Sequence, residues 1–493
     1  MRAFPLPRGA RAAIAVLLAL AACTSSAPDP GGPATVATPS EPGASATGSE
    51  GTPGSTPMPT TDQDELRVSA RRVLIRPPAG GSFRVRGAYP WTASRCVRPD
   101  RPKLAAHYPG ALAVRTGDDG TLTVTVTLGF QEYLEGIAEV PPTWPMAALE
   151  AQVIAARSYV LSRTGFAGEQ GERLDTPICG TSACQVYGGI PHPRPPGLRR
   201  WYRAVRATRG KVLLSGGRPA DTVYFSTSNG RTYGNDEVFG GSPLPYLRPV
   251  PERHDAASPL ARWRVDLPLG DLATVLRAAG SWPAQAPIAS AAIGDSGVQL
   301  SGGGERRTIG AGDLRDAVNT WAPCLLPGRY PSGGLPTTIP SGWFSLSSNP
   351  RGLTITGRGW GHGVGMVQWG AYGKASRGWS TARILGFYYG GLAPRPYPEP
   401  GTMQVVVATG LRSLTVVPSG PGARLGDRTL GEAPLRVSGG DRVTVSAAAR
   451  WAGRRPASRR RSRAWNRPPP AAVWCTWAIT RGHTPGASRR SPC

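Results

Sequence analysis

The chain has 493 residues, 40% of them hydrophobic, with a formal net charge of +26 and an isoelectric point near 10.8. No apolar stretch approaches the roughly 20 residues of a membrane-spanning helix, which excludes an integral helical membrane protein. The positive charge calls for acidic partners, and the N-terminus says of which kind.

Arg2, Arg8 and Arg11 precede a short apolar run at 12–20, the order of an export signal. The run ends Leu20-Ala21-Ala22-Cys23. This is similar to the lipobox of bacterial lipoproteins, which implies removal of residues 1–22 and lipidation of Cys23. An ordinary export signal with an incidental cysteine is the alternative. Residues 23–63 are dominated by Ser, Thr, Ala, Gly and Pro, cannot bury enough apolar surface to fold, and read as a flexible tether. The expected location is therefore outside the cell membrane, held by lipid alone and facing the wall. Anionic wall polymers and membrane surfaces suit the charge there, and nucleic acid does not enter.

Residues 64–395 are long enough for a large, two-lobed domain of mixed α+β class, rich in strands. Positions 121–128 alternate, with Leu122, Val124, Val126 and Leu128 on one face, and predict a half-buried strand. Pro145 opens a predicted helix whose apolar stripe is Leu149, Val153, Ala156 and Val160, closed by Gly165. Asn229-Gly230 predicts a hairpin over 221–233. Short helices are expected at 271–279 and 313–321, each with an aspartate at its cap. Residues 396–450 suggest a small β module, with Val405, Val406, Val407, Leu414 and Val416 in its core. Residues 451–493 carry ten arginines and no acid, and form a basic tail to which no chemistry is assigned.

Four stretches stand out, in order. The first runs from Glu132-Tyr133-Leu134-Glu135-Gly136-Ile137-Ala138-Glu139 through Trp144-Pro145 to Ala155-Ala156-Arg157-Ser158-Tyr159. The second is Cys184-Gln185-Val186-Tyr187-Gly188, and the third Tyr224-Phe225-Ser226-Thr227-Ser228-Asn229-Gly230-Arg231-Thr232. The fourth is Gly357-Arg358-Gly359-Trp360-Gly361-His362-Gly363-Val364-Gly365-Met366, continuing to Gln368-Trp369-Gly370-Ala371. Together they resemble the SpoIID/LytB family of cell-wall proteins over most of 122–392. The chain departs from that pattern at Val140, at Asn229 and at Glu150, where the family commonly has lysine.

The resemblance implies a lytic transglycosylase acting on peptidoglycan glycan strands, cutting between MurNAc and GlcNAc and leaving a 1,6-anhydro end. Ordinary glycoside hydrolysis uses two carboxylates. Here the sugar's own 6-hydroxyl attacks, so one carboxyl can protonate the leaving oxygen and then take the hydroxyl proton. Glu139 stands where the family's catalytic glutamate stands, among apolar neighbours that favour its protonated form. Glu132 and Glu135 offer a two-carboxylate alternative if 132–139 is one helix. Arg157, Gln185, Tyr187, Ser226, Ser228, Thr232, His362 and Gln368 are the expected substrate-binding groups.

Cys179 and Cys184 are close enough to pair as a disulfide; zinc held with His192 is the competing reading, and no metal or cofactor is expected. The LytB side of the family implies a different function, a non-catalytic glycan-binding enhancer of a cell-wall amidase.

Overall fold

The computed structural model describes residues 66–86, 105–166, 168–191, 194–330 and 338–447. Cys23, the segments 1–22 and 23–63, the basic tail and His192 lie outside the described residues. The chain is mixed α+β, as expected. Among the described residues no helix is long and apolar enough to cross a membrane.

The strand Leu122–Gly129 buries every second residue from Leu122 to Leu128, as its alternation predicts. It lies inside a seven-stranded sheet, between Ala111–Thr116 and Thr402–Leu411, both antiparallel to it. A six-stranded sheet joins Leu66–Ala70, Phe83–Arg86 and Ala105–Tyr108 to Ser413–Pro418, Leu435–Ser438 and Val443–Ala447. Residues 396–450 thus form strands, but they do not stand as a separate module. Val405 and Val416 pair with Val126 and Val85, on strands from the first third of the chain, and are buried in the same core as those strands.

The helix Met146–Arg163 starts after Pro145 and is followed by Gly165 at φ +68°. It is buried nearly all round rather than on one stripe. The strand Lys211–Ser215 and the helices Arg199–Ala207, Gln368–Ala375 and Thr381–Tyr388 all pack on it. Full burial of Leu149, Val153 and Val160 contributes about 1.5–3 kcal/mol each. Glu150 bonds to the last of those helices, its Oε2 accepting from Thr381 Oγ1 at 2.8 Å.

A second core forms within 263–357, around Leu272, Leu276, Val318, Leu353 and Ile355. The chain enters it on Trp263–Pro268 and leaves on Gly352–Gly357, paired antiparallel. Its helices are Leu269–Ala278 and Ala311–Leu325, close to the predicted spans. Asp271 and Asp313 lie in their first turns, while the cap positions are Pro268 and Gly310. Extended backbone at the residue before each helix is all the cap requires, and the carboxylates still face the positive end of the helix dipole.

The expected hairpin at 221–233 does not form. Tyr224–Phe225 instead pairs in parallel with Met366–Val367, bringing the third and fourth sequence motifs together. Gly230 takes φ +117° without reversing a strand, and Glu252 N donates to its carbonyl at 2.9 Å.

Candidate active site around Glu139

The short helix Phe130–Glu135 stops at Gly136. A side chain at 136 would strike the Tyr187 ring, 2.3 Å from an added Cβ, so the chain turns there and runs beside the second motif. Ala138 N donates to Val186 O and Gly188 N to Gly136 O, each at 2.9 Å. That pairing aims Val186 N–H at Glu139, whose Oε1 accepts from it at 2.7 Å. Gln368 Nε2 lies 3.4 Å from the other carboxylate oxygen and 3.4 Å from Gln152 Oε1.

Burial pushes the Glu139 carboxyl up to about 7, against the opposing pull of Val186 N–H and Gln368. A group at that position holds a proton about half the time at neutral pH, which suits an acid that must then act as a base. The other two carboxylates of the first motif are occupied elsewhere. Glu132 Oε2 accepts from Gly129 N at 3.1 Å at the start of the short helix. Glu135 pairs with Arg194 at 2.9 Å and Arg206 at 4.0 Å. Because the helix ends before Glu139, the three do not form one helical face, and the two-carboxylate alternative lacks its geometric basis.

Gln185 is fully buried between the motifs: its Nε2 donates to Ala156 O at 3.1 Å and its Oε1 accepts from Tyr224 O–H at 2.9 Å. Tyr187 is fully buried too, its ring stacked between Tyr108 and Tyr133 with centroids 6.0 and 5.5 Å away. Both shape the walls rather than offer exposed donors to a sugar. Arg157 is the clearest departure. Its guanidinium is fully buried, donating to Thr208 O at 2.7 Å and Lys211 O at 3.2 Å, with Nε 3.0 Å from Glu399 Oε1. Desolvation pulls it down to about 10, still charged at neutral pH, and it locks the long helix to residues 205–211. Ser228 donates to Asp255 Oδ2 at 2.8 Å, and Thr232 Oγ1 accepts from Val250 N at 2.9 Å, so both are buried braces. Ser226, only partly buried, takes Trp369 N–H on its carbonyl at 3.1 Å and so ties the third motif to the helix bearing Gln368.

His362 Nε2 lies 2.9 Å from Tyr224 O, and its Nδ1 is 3.1 Å from Val364 N. Since the first partner only accepts and the second only donates, the ring is neutral with its proton on Nε2. Burial lowers it to about 4. The unfolded residue takes up protons near pH 6.5 and the folded one near 4, so its contribution is complete above 6.5 and is lost as pH falls through 4. We expect about 3 kcal/mol of acid-dependent stability from this residue. Denaturant melts at pH 7 and 4 read it as a steeper pH dependence in the parent than in His362→Gln.

Cys179 and Cys184 are joined, Cα atoms 5.6 Å apart, closing the short loop that leads into Gln185 and Val186. Among the described residues no group of His, Cys, Asp and Glu could hold a metal ion. Opening so short a loop costs about 2 kcal/mol. Cys184→Ser is expected to lower stability by that amount and to slow any Glu139-dependent reaction, because the loop leading to the Val186 donor loses one of its constraints. Denaturation and turnover of the variant check both.

Sequence reasoning missed a buried ion pair. Lys374 Nζ donates to Glu252 Oε2 at 2.6 Å, and Tyr388 O–H binds both. Neither charged side chain is exposed. The signal lay in Gly370 and Gly373 within one helix. A Cβ at 370 would sit 2.4 Å from Glu252 Oε2, and one at 373 only 1.8 Å from His254 O.

The profile of the stage II sporulation protein family, SpoIID, matches residues 118–214. An uncharacterized protein of Brachyspira hyodysenteriae is 31% identical over 291 residues, 58% of this chain and 71% of that one. Stage II sporulation protein D of Bacillus amyloliquefaciens is 30% identical over 281 residues, 53% of this chain and 73% of its own. The amidase enhancer of Bacillus subtilis is 27% identical over 300 residues, 52% of this chain but 39% of the enhancer.

Proposed function

The chain belongs to the SpoIID family, and on that premise we propose that it is a peptidoglycan lytic transglycosylase with Glu139 as its single acid and base. The observation that carries this is one carboxyl, half-buried, held by a backbone N–H at 2.7 Å and poised near pH 7. In the proposed step Glu139 gives its proton to the glycosidic oxygen as the bond to the MurNAc anomeric carbon breaks. The carboxylate then takes the proton of the sugar's 6-hydroxyl as that oxygen closes onto the same carbon. Atoms balance without water, and Glu139 ends protonated again. Cys23 would carry the lipid that holds the enzyme at the wall.

The likeness to the amidase enhancer supports a second reading, in which this chain grips glycan and a partner amidase does the cutting. Incubating the purified protein with peptide-free glycan strands, and separately with sacculi plus a wall amidase, distinguishes the two. Strand shortening by the protein alone supports the transglycosylase. Unshortened strands with faster amidase turnover support the enhancer.

A further inference from the structure

The helix Arg199–Ala207 has an unusual surface. Between 194 and 211 lie Arg194, Arg199, Arg200, Arg203, Arg206, Arg209 and Lys211, seven cations with no Asp or Glu. All seven are exposed. The opposite face, Trp201, Tyr202, Ala204 and Val205, is buried in the main core. Two acids from elsewhere answer this charge: Glu135 meets Arg194 and Arg206, and Glu399 meets Arg209. Glu399 is shared with the buried Arg157, so the two acids face eight cations, and eight minus two leaves a local excess of six.

This arrangement works against the helix itself. Arg199, Arg203 and Arg206 fall at i, i+4 and i+7, where like charges repel. Arg199 and Arg200 sit in the first turn, at the positive end of the dipole. Arg199 and Arg203 have no acidic partner among the described residues. Such a surface gains stability only when an external anion neutralises it. The patch also borders the site, since Arg200 Nη2 donates to Trp144 O at 2.9 Å, on the segment that carries Glu139.

We propose that this face docks a flexible polyphosphodiester, a wall polymer rather than a membrane. Arg199 to Arg206 spans about 10 Å along the helix, a length over which successive charges of one chain can be met. A helix that lies in a lipid interface needs its apolar face free, and here that face is inside the protein. The interaction is independent of any turnover at Glu139 and keeps the site on the wall between encounters.

The test compares the full chain with Arg199→Gln/Arg203→Gln and with Arg460→Gln/Arg461→Gln, which removes the same two charges from the basic tail. The probes are poly(glycerol phosphate) and, in a second arm, vesicles of phosphatidylglycerol with phosphatidylcholine, each over a series of salt concentrations. The helix variant is expected to bind the polymer about tenfold more weakly, with a slope of log affinity against log salt smaller by about 2. The tail variant should change little, vesicles should bind more weakly than polymer, and the helix variant's melting temperature should not fall. Equal losses in the two variants would reduce the effect to net charge and overturn the proposal. Vesicle binding as tight as polymer binding and equally sensitive to the helix variant would make the face a membrane contact instead. A lower melting temperature would contradict the argument from repulsion.

Discussion

Replacing Glu139 with Gln is expected to abolish glycan cleavage while raising stability at alkaline pH. The amide can neither give nor take the proton, and the neighbouring carboxylates are committed to Gly129, Arg194 and Arg206. A positioned general acid or base is worth about 100- to 10,000-fold in rate, and the proposed reaction uses Glu139 as both in turn. The stability change follows from the raised carboxyl. The unfolded residue ionises near 4.5 and the folded one near 7, so stability is complete below 4.5 and declines as pH rises through 7. Above 8 the ionised carboxylate costs the parent about 3 kcal/mol that the variant does not lose. Turnover of peptide-free strands and denaturant melts at pH 5 and 8.5 measure the two effects. A variant that still cuts, or that is no more stable at the higher pH, would contradict this reading of the site.

The second large effect concerns the buried pair. Lys374→Met is expected to destabilise the protein by about 3–5 kcal/mol, because it leaves the Glu252 carboxylate buried without its cation. Lys374 also lies over the rings of Phe387 and Tyr388, 4.3 and 4.6 Å from their centroids, so the loss includes cation–π contact. The paired change Lys374→Met with Glu252→Gln should recover part of that loss, since no uncompensated charge remains. Urea titration of these two variants and of Glu252→Gln alone reads the coupling directly.

How far the sequence reached depends on which interactions are local. Leu122 to Leu128 and Leu149 to Val160 were legible because a period of two or of 3.6 is written in adjacent residues. Glu139 was singled out from its motif. Val186 was not, because what it offers is a backbone N–H whose aim is set by pairing across 47 residues. Arg157 was read as a substrate contact because residue type does not say which way a guanidinium faces, and here Glu399 and three carbonyls enclose it. The hairpin failed for a similar reason: Asn229-Gly230 permits a tight turn, but Tyr224 finds Met366 as its partner instead. The C-terminal strands looked separate because their partners lie near residues 83 and 126.

The most direct measurement runs the parent protein on peptide-free glycan strands in water enriched in heavy oxygen, with the new chain ends read by mass spectrometry. The account predicts 1,6-anhydro ends that contain no label, because the attacking oxygen belongs to the sugar. Labelled reducing ends would show that water is the nucleophile, and would contradict a single-carboxyl transglycosylase built on Glu139.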